Sequence, residues 1–197
     1  MYLTCVEKVT YIAVIVSCLQ LAGCQKQAEA PYMVEVVSSD SVYSLGIPSF
    51  LQPGYDMHPF ASIQYYDTAS QFFVLGMEDS KNNLGAIKRR RLKLRGYFNY
   101  METIALERVD SFMYVASYRD TLAQGLSIQS QDYYATIDPF PDLPLFYRVA
   151  VYENDEYFYQ LIIWMPYADH CPLMPWIDSI TQSLHFLPPN DGFTIAK

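Results

Sequence analysis

Two runs of ten residues, LPLFYRVAVY at 143–152 and EYFYQLIIWM at 156–165, stand three residues apart. Both are rich in β-branched and aromatic side chains, and the intervening Glu153-Asn154-Asp155 suits a turn, so the pair predicts a β-hairpin. The second run is apolar at nearly every position. A strand with one face in water alternates; this one does not, so it predicts a central strand with another layer against each face. That requirement governs how the remaining segments must be arranged.

The neighbouring segments supply candidates. SVYSLGI at 41–47 alternates moderately and ends at Pro48, before the turn-prone IPSFLQPG. ASIQYYD at 61–67 sets Ile63 and Tyr65 against Ser62, Gln64 and Tyr66, and QFFVLGM at 71–77 is apolar on both faces. The Thr68-Ala69-Ser70 between them is short enough for a hairpin. The period then changes. Asp79 and Ser80 are good helix caps, and Leu84, Ile87 and Leu92 or Leu94 form a rough helical stripe. A clearer stripe follows at Met101, Ile104, Ala105, Phe112 and Ala116. These predict one long bent helix or two consecutive helices over 80–117, with a kink or break at Gly96. Residues 126–137, containing DYYATI, return to strand spacing. Leu173, Trp176, Ile177, Ile180 and Leu184 then predict a last helix, with Pro175 in its first turn. The order of strands, helices, strands and helix gives an α+β domain whose central antiparallel sheet is flanked by helices.

The front of the chain has a different character. Residues 11–22, YIAVIVSCLQLA, are mostly apolar but fall short of the roughly 20 such residues that span a bilayer, and match a signal-peptide core. They run into Leu21-Ala22-Gly23-Cys24, which resembles the lipobox of bacterial lipoproteins. That resemblance implies cleavage before Cys24 and acylation of its thiol and new amino terminus. Several acyl chains, at about 0.8 kcal/mol per buried CH₂, anchor a protein stably where one would not. An ordinary secretory signal is the plainer alternative. The expected layout is a signal peptide at 1–23, a lipidated Cys and tether at 24–40, and a folded domain at 41–190. Within the tether, residues 34–37 can already add an edge strand. Gln25 after the Cys, rather than Asp, implies sorting to the outer membrane, with either side of it open. Cys5 and Cys18 leave with the signal and Cys24 is consumed by lipid. Cys171 is left alone, so no intramolecular disulfide is expected.

VYSLGIPSFLQPG followed by ASIQYYDTASQFFVLGMEDS resembles the start of PsbP-like domains, a family also found among small bacterial envelope lipoproteins. Ile180-Thr181-Gln182-Ser183-Leu184 matches its end. The resemblance spans 41–187 and rests on element order and diffuse patterns rather than on a catalytic signature. It implies an α/β/α sandwich and an accessory or binding role, without one shared ligand. The helical stretch over 80–117 is longer than the family usually carries.

No motif announces chemistry. His58, His170 and His185 form no HExxH or HxH pair, and the chain has no Gly-rich phosphate loop, GxSxG or EF-hand loop. No catalytic residue, cofactor or metal site is therefore assigned, and the chain is read as non-enzymatic. Asp169-His170-Cys171 is the densest cluster of reactive groups. It supports an alternative reading as a thiol- or metal-dependent enzyme, against the plainer reading of a surface loop. The sharpest local feature is Lys88-Arg89-Arg90-Arg91-Leu92-Lys93-Leu94-Arg95. It holds six of the thirteen basic residues in a chain of net charge −8. The overall charge argues against general nucleic-acid binding. Lys88, Arg89, Arg90, Arg91, Lys93 and Arg95 read either as a solvated helix face or as a dock for an anionic partner. Eighteen tyrosines, many on predicted strands, offer packing at sheet margins or an adhesive face for protein or glycan. The expectation is a lipid-anchored envelope accessory protein binding another envelope component, protein or glycan. A structural assembly factor is a further alternative.

Overall fold

The computed structural model describes residues 30–88, 92–107, 109–121, 126–137 and 140–187. In chain order these form β1 (Met33–Val37), β2 (Tyr43–Pro48), β3 (Gln52–Pro53), β4 (Ile63–Asp67) and β5 (Phe72–Ser80). Helices α1 (Lys81–Lys88) and α2 (Leu94–Ala105) follow, then β6 (Val109–Thr121), β7 (Ser127–Ile137), β8 (Phe140–Glu153) and β9 (Tyr157–Pro166). A 3₁₀ turn at Tyr167–Asp169 leads into α3 (His170–Gln182), and β10 (His185–Phe186) closes the order. β9 lies at the centre of a seven-stranded antiparallel sheet, β3-β4-β5-β9-β8-β7-β6, and β1-β2-β10 make a small second sheet. The fold is α+β with a central antiparallel sheet covered on both faces. Among the described residues no helix is long and apolar enough to cross a membrane.

Each face of β9 receives its cover from a different part of the chain. On one face, Tyr159, Leu161, Ile163 and Met165 pack with Leu45 and Ile47 of β2 and with Ile177 and Ile180 of α3. On the other, Phe158 packs with Val149, Val151, Tyr133 and the α2 side chains Tyr97, Phe98 and Met101. The Tyr97 ring stacks on Phe158 at 4.2 Å, and its hydroxyl donates to Asp79 while accepting from Gln160 Nε2. Glu153 ties down the starts of both helices, accepting from Lys81 Nζ at 2.6 Å and from the Leu94 backbone N–H at 3.1 Å.

The same register aligns aromatics across six strands: Tyr66, Phe73, Trp164, Tyr147, Tyr133 and Tyr114 are successive cross-strand partners. The first four stack with nearly parallel rings, most tightly Phe73 on Trp164 at 4.9 Å. Such cross-strand pairs are the unit by which a sheet holds its register. Aromatic contacts of this kind contribute roughly 0.5–1.5 kcal/mol beyond area burial.

Several expectations need correction. The stretch 80–117 is not helical throughout: α2 ends at Ala105, and Phe112 and Ala116 belong to β6. The Leu106 N–H still bonds back to Glu102, but beyond it Val109-Asp110-Ser111-Phe112-Met113-Tyr114-Val115 is dominated by β-branched, aromatic and helix-poor residues. Asp79 and Ser80 finish β5 rather than cap a helix, because the Asp79 carboxylate is held by Tyr97 and by Gln160 at 2.9 Å. Gly96 lies in the first turn of α2, not at a break. α3 starts at His170, so Pro175 is inside it and Pro172 occupies its first turn. The folded part also begins before Ser41, since β1 is the edge strand expected over 34–37.

Where the small sheet meets β5, a side chain at Gly76 would lie 2.5 Å from the Tyr43 hydroxyl, so the missing Cβ admits that ring. Tyr43 bonds Ser62 Oγ at 2.9 Å, and Ser62 donates to Glu78 at 2.5 Å. Burial raises the Glu78 pKa above its ordinary 4.5; the Ser62 hydrogen bond opposes this and nearby Asp40 reinforces it. Between the unfolded and the folded pKa the folded protein thus keeps a proton that the unfolded chain has released, and Glu78 costs stability as pH rises through and beyond that window. Glu78→Gln should therefore melt at a higher temperature than wild type at neutral pH. In thermal melts followed by circular dichroism, that gain should vanish below about pH 4.

Candidate functional site

An arginine inside an apolar strand must find partners or leave the strand. Arg148, in the middle of β8, faces α3 and is 2% exposed, as is Asp132 opposite it on β7. Its Nε and Nη2 donate to the two Asp132 oxygens at 2.6 and 2.8 Å, and Nη1 donates to Asp178 of α3 at 2.5 Å. Burial alone would lower the pKa of Arg148, but the hydrogen bonds and charges of Asp132 and Asp178 outweigh it, and the guanidinium is held above its usual range. The Tyr118 ring of β6 lies 5.5 Å from the guanidinium carbon. Arg148, Asp178 and Tyr118 border a cavity of about 400 Å³ that also reaches Asp120 and Thr181. Neither Arg148 nor Asp132 was singled out in the sequence. The signal was there in the lone charge of LFYRVAV, but its partner becomes visible only once β7 and β8 are in register.

A second concavity, of about 670 Å³, lies on the other face of the same β6–β7 end. Lys93 and Arg95 from the start of α2 and Arg119 from β6 line it, with Glu153 and Gln129. Lys93, Arg95 and Arg119 are exposed, and Arg119 Nη2 donates to Gln129 at 3.1 Å. The two sequence-predicted residues are thus joined by an arginine from a distant strand. Lys88 ends α1, while Arg89, Arg90 and Arg91 lie outside the described residues, as does Cys24.

Asp169, His170 and Cys171 form a helix start rather than an open loop. The His170 ring stacks on Tyr167 at 4.7 Å and on Phe146 at 5.3 Å. His170 Nδ1 bonds the Tyr167 carbonyl at 2.5 Å, while Nε2 meets both the Tyr134 hydroxyl at 3.5 Å and Cys171 Sγ at 3.4 Å. Cys171 is exposed. His58 stands in the β3–β4 connection, its Nδ1 accepting from the Phe60 N–H, and His185 lies on β10. Among the described residues no three His, Cys, Asp or Glu side chains are grouped so as to hold a metal ion.

Between the two cavities runs β6, the last strand of the large sheet. Phe112, Met113, Tyr114, Val115 and Tyr118 are 44–59% exposed on this one strand. Large apolar side chains along an unpaired edge are a feature that monomeric proteins normally suppress. Register shifts at Val109/Ser111 and Tyr114/Ala116 kink the strand without covering it.

Solved structures share this fold at low sequence identity. PsbP of the cyanobacterium Synechocystis sp. PCC 6803 superposes with a TM-score of 0.53 at 8% identity, over 85% of this chain and 99% of that one. LpqN of Mycobacterium tuberculosis, described as involved in cell envelope biogenesis, gives 0.54 at 14% identity over 81% and 93%. The Ran-binding protein Mog1p of Saccharomyces cerevisiae gives 0.50 at 10% identity over 79% and 96%. The PsbP-like sandwich expected from element order is therefore the fold of this chain. No protein-family model matches the sequence, and no curated protein matches it significantly.

The Arg148–Asp132 pair has a testable energetic signature. Removing one partner strands a buried charge, so Arg148→Ala or Asp132→Ala should cost about 3–5 kcal/mol in urea denaturation. The double variant Arg148→Met with Asp132→Leu should recover much of that loss. Asp178→Ala, whose carboxylate side chain is 51% exposed, should cost far less.

Proposed function

We propose that the chain is a lipid-anchored accessory protein of the bacterial cell envelope, non-catalytic, which holds a polypeptide partner along β6. The observation that carries this reading is the exposed apolar run of β6 on a sheet edge that no strand among the described residues pairs. An edge strand offers a row of backbone N–H and C=O groups that another extended polypeptide can satisfy, while alternate side chains supply selectivity. A glycan cannot complete that ladder, so a protein is favoured over a glycan. Leu21-Ala22-Gly23-Cys24 after an apolar core supports acylation at Cys24, and Gln25 supports retention at the outer membrane. The described roles of LpqN in envelope biogenesis and of Mog1p in binding a protein are in keeping with an accessory function. The His170 ring is already engaged by Tyr167 and Tyr134, which weighs against the thiol-enzyme alternative.

Two measurements test it. An alkyne fatty acid fed to cells producing the chain should label wild type and not Cys24→Ser; equal labelling of both removes the anchor. A photo-crosslinking residue at Met113 or Val115 should give a discrete adduct in native membranes, whereas one at Tyr55, 79% exposed elsewhere, should not. Met113→Lys with Val115→Lys should abolish crosslinking from Tyr118 while changing stability by only about 0.5 kcal/mol, as is usual for exposed sites. Crosslinking that survives those lysines would rule out the edge as the contact.

A further inference from the structure

We infer that the groove between α2 and β6 is a binding site for the phosphate group of a phosphate-bearing ligand. Three cations converge on it from two elements: Lys93 and Arg95 from the helix start and Arg119 from the strand. Two acidic side chains share its wall, and Glu153 already has a cationic partner in Lys81. Glu153 gives one oxygen to Lys81 and the other to the Leu94 N–H, and Asp120 Oδ1 accepts from the Thr121 N–H at 2.7 Å. The ion pairs among the described residues join Lys81 to Glu153 and Arg148 to Asp132 and Asp178, so none neutralises Lys93, Arg95 or Arg119.

The helix start adds to this positive character. Lys93 is the N-cap of a 12-residue helix, with extended backbone (φ −104°, ψ 166°) and no side-chain cap hydrogen bond. Glu153 satisfies the Leu94 N–H, and among the described residues no side chain accepts from the next amides of the turn. Backbone donors and a positive dipole end therefore face the same space as three cationic side chains. A carboxylate offers two coplanar oxygens to such a set; a phosphate offers tetrahedrally disposed oxygens, which guanidinium forks can match from separate directions. At about 670 Å³ the groove also has room for the group that the phosphate esterifies.

The test uses the full chain in neutral maltoside detergent, with inorganic phosphate and dihexanoyl phosphatidylglycerol as probes and chloride at equal ionic strength as the control. Binding is read by thermophoresis and by the rise in melting temperature that a native-state ligand produces. Wild type should bind at least one probe. Lys93→Gln/Arg95→Gln/Arg119→Gln should weaken it by about tenfold or more, and high salt should weaken it in wild type. Arg119→Gln alone leaves α2 untouched and should show a partial loss even if the triple variant is poorly folded. Tighter binding of the lipid than of phosphate identifies a headgroup, and comparable binding of both identifies a soluble phosphate ester. Failure of wild type to bind either probe beyond the chloride control, or equal binding by the variants, overturns the site. This inference is independent of the β6 partner: crosslinking from Met113 or Val115 does not depend on the groove cations, so the two readings can fail separately.

Discussion

The arrangement of this protein depends on β9 being apolar on both faces. A strand of that kind at the centre of a sheet leaves its hydrophobic side chains in water unless a layer is placed over each face. The chain supplies the two layers from separate stretches: β2 and α3 on one side, α1 and α2 on the other. These covers lie over the middle of the sheet. Among the described residues β6, at the far edge, receives neither a neighbouring strand nor a complete cover, and its aromatics remain about half exposed. The exposed edge is thus a consequence of where the covering elements are spent. Two bulges bend it, as edges often are bent, yet they do not replace its apolar side chains with charges.

The sequence makes the covered centre legible and the edge illegible for the same reason. Residues 143–152 and 156–165 announce their strand character because burial on both sides demands continuous apolar residues, and Ile177, Ile180 and Leu184 announce the helix because a single stripe must meet the sheet. β6 has no such signature. Its bulge sets Tyr114 and Ala116 toward opposite faces, so the expected alternation breaks where it would have been diagnostic. Phe112 and Ala116 then continue, by coincidence of spacing, the helical stripe of Met101 and Ala105, to which the exposed Ile104 does not belong. The excess length of the apparent helix over the PsbP-like pattern was the trace this coincidence left.

Site residues divide in the same way. Lys93 and Arg95 could be found because they sit in one dense basic run. Arg119 could not, because its place beside them depends on β6 being a strand that returns past the start of α2. Arg148 stands out as a single charge in an apolar strand, but Asp132 and Asp178 reach it only through the β7–β8 register and the docking of α3. The buried pair offers little net stability over a well-packed apolar pair of the same volume. Its geometric effect is larger, since sliding β7 by one residue would turn Asp132 to the opposite face and leave Arg148 among Ile163 and other apolar neighbours.

Charge on the β6–β7 end follows from the alternation of a strand. Arg119 and Asp120 are adjacent, so their side chains go to opposite faces: Arg119 to the cationic groove beside α2, while Asp120 borders both that groove and the cavity over Arg148 and Asp178. On the Arg148 side the guanidinium is matched by both oxygens of Asp132, so the charge left toward solvent is that of Asp178 and Asp120. A single edge strand thereby presents a positive surface to one side, a negative one to the other, and an apolar rim between them. A polypeptide laid along that rim meets both potentials at once, and a shift of one residue in its register exchanges which of its side chains faces which sign. Selectivity at such an edge comes from pairing alternate charges with the correct face, while the apolar rim supplies adhesion that by itself would not distinguish one partner from another.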